Sequence, residues 1–223
     1  MVNKTALVFG STGLVGNLLL KELLASDKYD SIKIFVRKPA EITHPKITEY
    51  IVNFQNVASF EDKIKGDDLF ICLGTTIKKA GSIKIMEEID CDLPVSITSA
   101  ACKNGVKRLA VVSSIGANHS SSNYYLKIKG KMEEGIMKYY FENTAIVRPS
   151  MLLGERKEKR SGENAGKIFM KIFNPLLYGK MKKYRSIQAR DVAKAMISLL
   201  SRDQVKTIYE SDELQLIANR YKQ

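Results

Sequence analysis

The chain has 223 residues with 44% apolar content, enough for one α/β domain with a buried core. No apolar run approaches a membrane span, the first strand begins almost at once and leaves no room for a signal peptide, and three cysteines with no paired spacing (Cys72, Cys91, Cys102) fit reduced thiols. A net charge of +12 would suit nucleic acid or an anionic surface, but the lysines scatter and no aromatic-interleaved basic stripe is recognised. The expectation is therefore a cytoplasmic protein without membrane or nucleic-acid partners, whose basic surface attracts phosphorylated small molecules.

In chain order, strand-like runs are Ala6–Phe9, Ile32–Val36, Glu49–Val52, Leu69–Leu73, Arg108–Val112 and Thr144–Val147. Helical periodicity covers 14–26, 83–103, 123–141 and 191–201, with a further helix over 167–178 ending near Asn174-Pro175. The alternation predicts a Rossmann-type α/β fold, a doubly wound parallel sheet with helices on both faces. One domain spans 1–223, with about 150–190 forming a small substrate lobe. Residues 154–166 read as a mobile loop, and Ser211 as the cap of a last helix.

The first strand runs into Gly10-Ser11-Thr12-Gly13-Leu14-Val15-Gly16, and an amphipathic helix follows. A strand, a glycine turn and a helix N-terminus point backbone N–H groups at an anion, the geometry of a dinucleotide pyrophosphate site. Gly10 allows the turn, Gly13 the approach of the pyrophosphate and Gly16 close packing of helix on strand. The second strand ends in Arg37-Lys38, where an acid would serve a ribose 2′-hydroxyl; an arginine fork pairs with a 2′-phosphate, which favours NADP(H) over NAD(H). Leu73-Gly74-Thr75 follow the fourth strand on the ligand side.

The fifth strand ends in Ser113-Ser114, and Tyr125 and Lys129 follow at helical spacing. A lysine beside a phenol favours the phenolate, so the tyrosine can act as acid or base, while either serine polarises a carbonyl. Tyr-x-x-x-Lys occurs three times, at Tyr29/Lys33, Tyr125/Lys129 and Tyr178/Lys182. The middle pair alone follows a strand ending in paired serines. Ser114 is preferred to Ser113, and Tyr124 is the rival to Tyr125. His44 and His119 have no partners at metal-ligand spacing, so no metal is expected.

These residues resemble the short-chain dehydrogenase/reductase superfamily in its extended or atypical branch. The glycine spacing at 10–16, Val147-Arg148-Pro149-Ser150 with Gly154, and Arg190-Asp191-Val192-Ala193 carry the resemblance. Leu73–Ser82 and Ser113–Ala117 resemble the Tat-interactive protein oxidoreductase group and its bacterial nucleoside-diphosphate-sugar epimerase-like relatives. The resemblance covers about residues 4–200 and implies an NADPH-dependent reductase of a small carbonyl or alcohol substrate. It implies that Ser114, Tyr125 and Lys129 are catalytic, that Lys129 also holds ribose, and that Pro149 and Ser150 pass beside the nicotinamide. A homodimer is common in the superfamily. Asp191 would cap the helix it opens. Where extended members often carry an asparagine, this chain has Asp90; it either replaces that group or, the preferred reading, lies on an exposed acidic helix face. Two alternatives stand beside the reductase: a non-catalytic NADP(H) sensor signalling to a protein, and a nucleotide-sugar epimerase or dehydratase, against which the short C-terminal lobe argues.

Overall fold

The computed structural model describes residues 4–154, 177–202 and 206–221. Among them seven strands form one parallel sheet in the order β3-β2-β1-β4-β5-β6-β9. The strands are β1 (Lys4–Phe9), β2 (Tyr29–Val36), β3 (Ile47–Ile51), β4 (Asp68–Ile71), β5 (Arg108–Val112), β6 (Asn143–Arg148) and β9 (Ile208–Glu210). The order reverses direction from β1: β2 and β3 lie on one side, β4 to β6 on the other. That reversal opens a crevice at the C-terminal ends of β1 and β4.

The side-chain period of two divides each strand between two cores. Ala6 and Val8 of β1 enter one, with α1 (Leu14–Leu24) and α6 (Ala189–Leu200). Leu7 and Phe9 enter the other, with α4 (Leu93–Lys103) and α5 (Tyr124–Ile136). Both sheet faces are covered, so the strands read as nearly continuous apolar runs. Phe9 and Phe35, in register on neighbouring strands, stack at 4.4 Å between centroids.

The single helix expected over 83–103 is divided. The short α2 (Ile77–Ala80) precedes α3 (Ile83–Glu87); a wide π turn follows at Glu88–Asp92, and α4 begins at Leu93. Pro94 supplies the reason: it has no N–H for the carbonyl of residue 90, and its ring crowds that carbonyl, so one extra residue is taken up there. The strands β7 (Leu152–Leu153) and β8 (Ile187–Gln188) make a separate parallel pair. The final helix is α7 (Ser211–Asn219).

Two caps differ from expectation. Ser211 lies inside α7, and Glu210 caps it through a reciprocal capping box with Glu213. Asp191 lies in the first turn of α6 and accepts from Gln215 Nε2 at 2.9 Å instead of capping. The expected loop over 154–166 lies outside the described residues from 155 on, and the expected helix over 167–178 does so up to 176; its last position, Tyr178, is extended. No helix among the described residues is long and apolar enough to cross a membrane.

Candidate functional site

The glycine turn is fixed by crowding. Gly10 has φ +85°, and a Cβ there would sit 2.6 Å from the Cys72 carbonyl oxygen of β4's exit. A Cβ on Gly16 would come within 2.0 Å of the Gly10 carbonyl oxygen. Both positions exclude other residues on the chain's own account. Gly13 is different: its Cβ would meet Gly10 O at 3.3 Å, a mild crowding. The first turn of α1 has no side-chain cap and no acidic residue, so its amides and positive end face the crevice. Among the described residues Ser11 Oγ is buried without a hydrogen-bond partner. An uncapped helix start and a glycine cradle suit a pyrophosphate.

One cleft runs along the C-terminal ends of the strands. It is lined by Gly10, Thr12, Gly13, Leu14 and Val15 from the turn, Arg37 after β2, and Leu73, Gly74 and Thr75 after β4. Ser113, Ser114, Tyr125, Lys129, Pro149 and Ser150 line its other end. Three expected site residues do not line it. Gly16 packs beneath the turn, Ser11 is buried within it, and Lys38 is exposed beyond Arg37.

The two serines have different surroundings. Ser113 is buried and donates its hydroxyl to Glu133, whose carboxylate also takes a two-pronged bond from Arg148, with Nε at 2.9 Å. Burial of Glu133 is thus compensated by a guanidinium and a hydroxyl. Ser114 is half-buried, and among the described residues its hydroxyl makes one bond, at 3.4 Å to the Ile115 carbonyl. The loops after β5 and β6 are tied together by Ile115 N donating to Pro149 O at 3.0 Å. Ser150 uses its hydroxyl internally, donating to Arg185 O and accepting from Ser211 Oγ.

Asn123 caps α5 by accepting from the amides of Tyr125 and Leu126 at 3.0 and 3.2 Å. Tyr125 and Lys129 then share a helix face. Tyr124 also lines the cleft but is the more exposed of the two tyrosines, 61% against 38%. The other two tyrosine–lysine matches lie elsewhere. Tyr29 is buried at the opposite edge of the sheet, and Tyr178 stands on an exposed turn.

Lys129 is buried, and its ammonium lies 3.8 Å from Asp90 Oδ2. Asp90 Oδ1 accepts from the Thr75 amide at 2.8 Å. Asp90 is completely buried, which overturns the exposed acidic face expected for it. The π turn made by Pro94 sets it inward, between the β4 loop and Lys129. A half-replaced pair of this kind would leave a buried charge uncompensated.

Sequence reading missed several cleft residues. Asn53, Gln55 and Asn56 follow β3 at the same edge as the glycine turn, and the strand-end rule alone would have pointed to them. Glu133 stands four residues beyond Lys129 on α5, the spacing that marks a shared face. Cys72 lies at the cleft floor, and burial pushes its thiol up to about 12.

A family model described as NAD(P)H-binding matches residues 10–203. Protein HTATIP2 of Rattus norvegicus is 32% identical over 167 residues, covering 73% of this chain and 69% of that protein. Protein FMP52 of Debaryomyces hansenii is 33% identical over 204 residues, 88% of each. Among solved structures, the Bordetella bronchiseptica enzyme WbmH in complex with NAD+ superposes with a TM-score of 0.72 at 14% identity, covering 94% of this chain and 75% of its own. UDP-N-acetylglucosamine 4-epimerase from Methanobrevibacter ruminantium gives 0.69 at 17% identity, covering 97% and 81%. The structural likeness establishes the Rossmann fold, and the sequence matches establish kinship: this chain belongs to the NAD(P)H-binding family that includes HTATIP2- and FMP52-like proteins.

Proposed function

We propose that the chain is an NADP(H)-dependent oxidoreductase that reduces a small carbonyl compound. The observation that carries this reading is the convergence of Ser114, Tyr125 and buried Lys129 on the cleft that begins at the glycine turn. The first-turn amides of α1 would hold the pyrophosphate, and Arg37 the 2′-phosphate. Bound NADPH supplies a hydride. Ser114, whose hydroxyl is not engaged as that of Ser113 is, donates a hydrogen bond to the substrate carbonyl oxygen. Tyr125 delivers the proton that this oxygen needs as the alcohol forms. Lys129 would hold ribose hydroxyls, with Asp90 beside its ammonium to keep it in place. Glu133 and Arg148 hold β5, α5 and β6 in one arrangement, so the serine, the tyrosine and the lysine keep their relative positions.

Two features limit the alternatives. The epimerase relation is one of fold, at 12–17% identity in the superposed structures. A sensor would have no need of the serine, tyrosine and lysine gathered on one cleft. The three cysteines are free, which suits a reducing compartment and the cytoplasm; the FMP52 relatives are mitochondrial proteins. Fluorescence titration with NADPH and NADH, followed by turnover on a panel of aldehydes and ketones for wild type and Tyr125→Phe, tests the proposal. Binding of both nucleotides without turnover on any carbonyl would move the reading to the sensor. Turnover that survives Tyr125→Phe unchanged would remove the mechanism.

A further inference from the structure

The segment leading into β8 carries a pattern that the proposed chemistry does not use. Gly179–Tyr184 is a 3-10 turn, in which side chains three residues apart eclipse. Met181 and Tyr184 therefore share one ridge, and the extended residue Tyr178 stands three positions before Met181. These three side chains are 68% (Tyr178), 50% (Met181) and 42% (Tyr184) exposed. Lys180 and Lys183 fall on one flank of the ridge, Lys182 and Arg185 on the other. Lys183 pairs with Glu210 at 3.1 Å, which fixes the turn to the start of α7. The Arg185 guanidinium lies 5.6 Å from the Tyr178 ring, and the Lys183 ammonium 5.4 Å from that of Tyr184. Lys180 and Lys182 face solvent.

The sequence carries a short basic run here, Lys180, Lys182, Lys183 and Arg185 interleaved with Tyr178, Met181 and Tyr184, which the expectation of scattered lysines passed over. The three-residue period of the turn sorts it into an apolar ridge with basic flanks. Two tyrosines and a methionine between lysines, on a chain of net charge +12, have the chemistry of an interfacial contact. Tyrosine rings settle at headgroup depth, and lysines meet anionic headgroups while their stems cover apolar surface. We propose that residues 178–185 form a docking element for an anionic lipid bilayer surface. A nucleic-acid strand fits it less well, since such strands are tracked by grooves several nucleotides long and this is one protruding turn. The turn adjoins the cleft: Ser150 Oγ donates to Arg185 O, and Ile187 N to Met151 O at 3.0 Å. Docking here brings the Ser114 and Tyr125 end of the cleft to the bilayer.

Sedimentation of the full chain with phosphatidylcholine vesicles, with and without phosphatidylserine, tests this. The expected result is binding that requires phosphatidylserine, weakened about thirtyfold in Lys180→Glu/Lys182→Glu. Met181→Ser/Tyr184→Ser is expected to weaken it as well. All four side chains are surface groups outside the cofactor cleft, so unchanged NADPH binding by each variant shows that the fold is intact. Failure of wild type to sediment, or equal sedimentation of wild type and Lys180→Glu/Lys182→Glu, overturns the proposal. Tight binding of a single-stranded RNA oligonucleotide without vesicle binding overturns it in favour of nucleic acid. NADPH binding is read separately on the same proteins, so loss of the docking surface and loss of the cofactor reading are distinguishable.

Discussion

The two edges of the sheet treat their polar groups in opposite ways. At the N-terminal edge, Asp68 opens β4 fully buried, yet it accepts from the Tyr29 hydroxyl at 2.6 Å and from Arg108, with Lys4 at 3.9 Å. Asp67 accepts from the Thr5 amide at 2.7 Å. At the C-terminal edge, among the described residues, α1 starts without a side-chain cap, Ser11 Oγ is buried without a partner, and Ser114 keeps a weak local bond. The contrast lies in Asp68 and the start of α1 rather than in every polar group, since Asn143 Oδ1 at the start of β6 is also buried without a hydrogen-bond partner among the described residues. A buried carboxylate met by three partners serves stability, while an uncapped helix start leaves amides open to an anion.

The sharpest way to break this contrast is Asp68→Ala. It leaves Arg108 and the buried Tyr29 hydroxyl without their partner, and we predict a loss of about 3 kcal/mol in urea unfolding with NADPH affinity of the folded protein unchanged. A small stability change with weakened NADPH binding would show that the edges are not separate. Tyr125→Phe should act at the other end only. Turnover is expected to fall about 100-fold while melting temperature and NADPH affinity hold. Arg37→Ala comes next: NADPH binding weakens about tenfold and NADH binding stays the same, as fluorescence titration would report. Parallel losses for both nucleotides would place Arg37 away from the 2′-phosphate.

Alkaline pH separates the edges by titration. Burial pushes Cys72 up to about 12 and Cys91 up to about 11 from an ordinary 9.0. Burial, followed by the Asp68 carboxylate, raises the Tyr29 phenol well above 10.0. In each case the folded chain keeps a proton that the unfolded chain releases. Stability is therefore complete below the ordinary values and is lost as pH rises through them toward the folded ones. Denaturant unfolding from pH 8 to 11 is expected to show this decline, with Cys72→Ala relieving its first part and Tyr29→Phe its later part. A flat profile in wild type would mean that these groups ionise freely in the folded chain.

Much of the fold was legible because its signals are local. Arg108–Val112 is an apolar run of strand length, and Leu14–Leu24 repeats at helical spacing behind three glycines. The short pairs β7 and β8 and the three-residue β9 are too brief to carry any period. The turn, Arg37, the paired serines and Tyr125 with Lys129 were readable as candidates since each sits where a strand ends or a helix begins. Which serine is held by a carboxylate and which by a weak local bond was not readable. Glu133 and Ser113 are 20 positions apart, and Arg148 comes from a third element.

The order of apolar runs and the three glycines determined by themselves that this chain folds as a parallel Rossmann sheet with a tight glycine turn after its first strand. Periodicity and backbone sterics act over a few residues, so they are written in the sequence directly. Tertiary structure alone decided that Asp90 is buried against Lys129 and that Ser113 is consumed by Glu133. Those outcomes depend on which distant elements meet and on the extra residue taken up before Pro94.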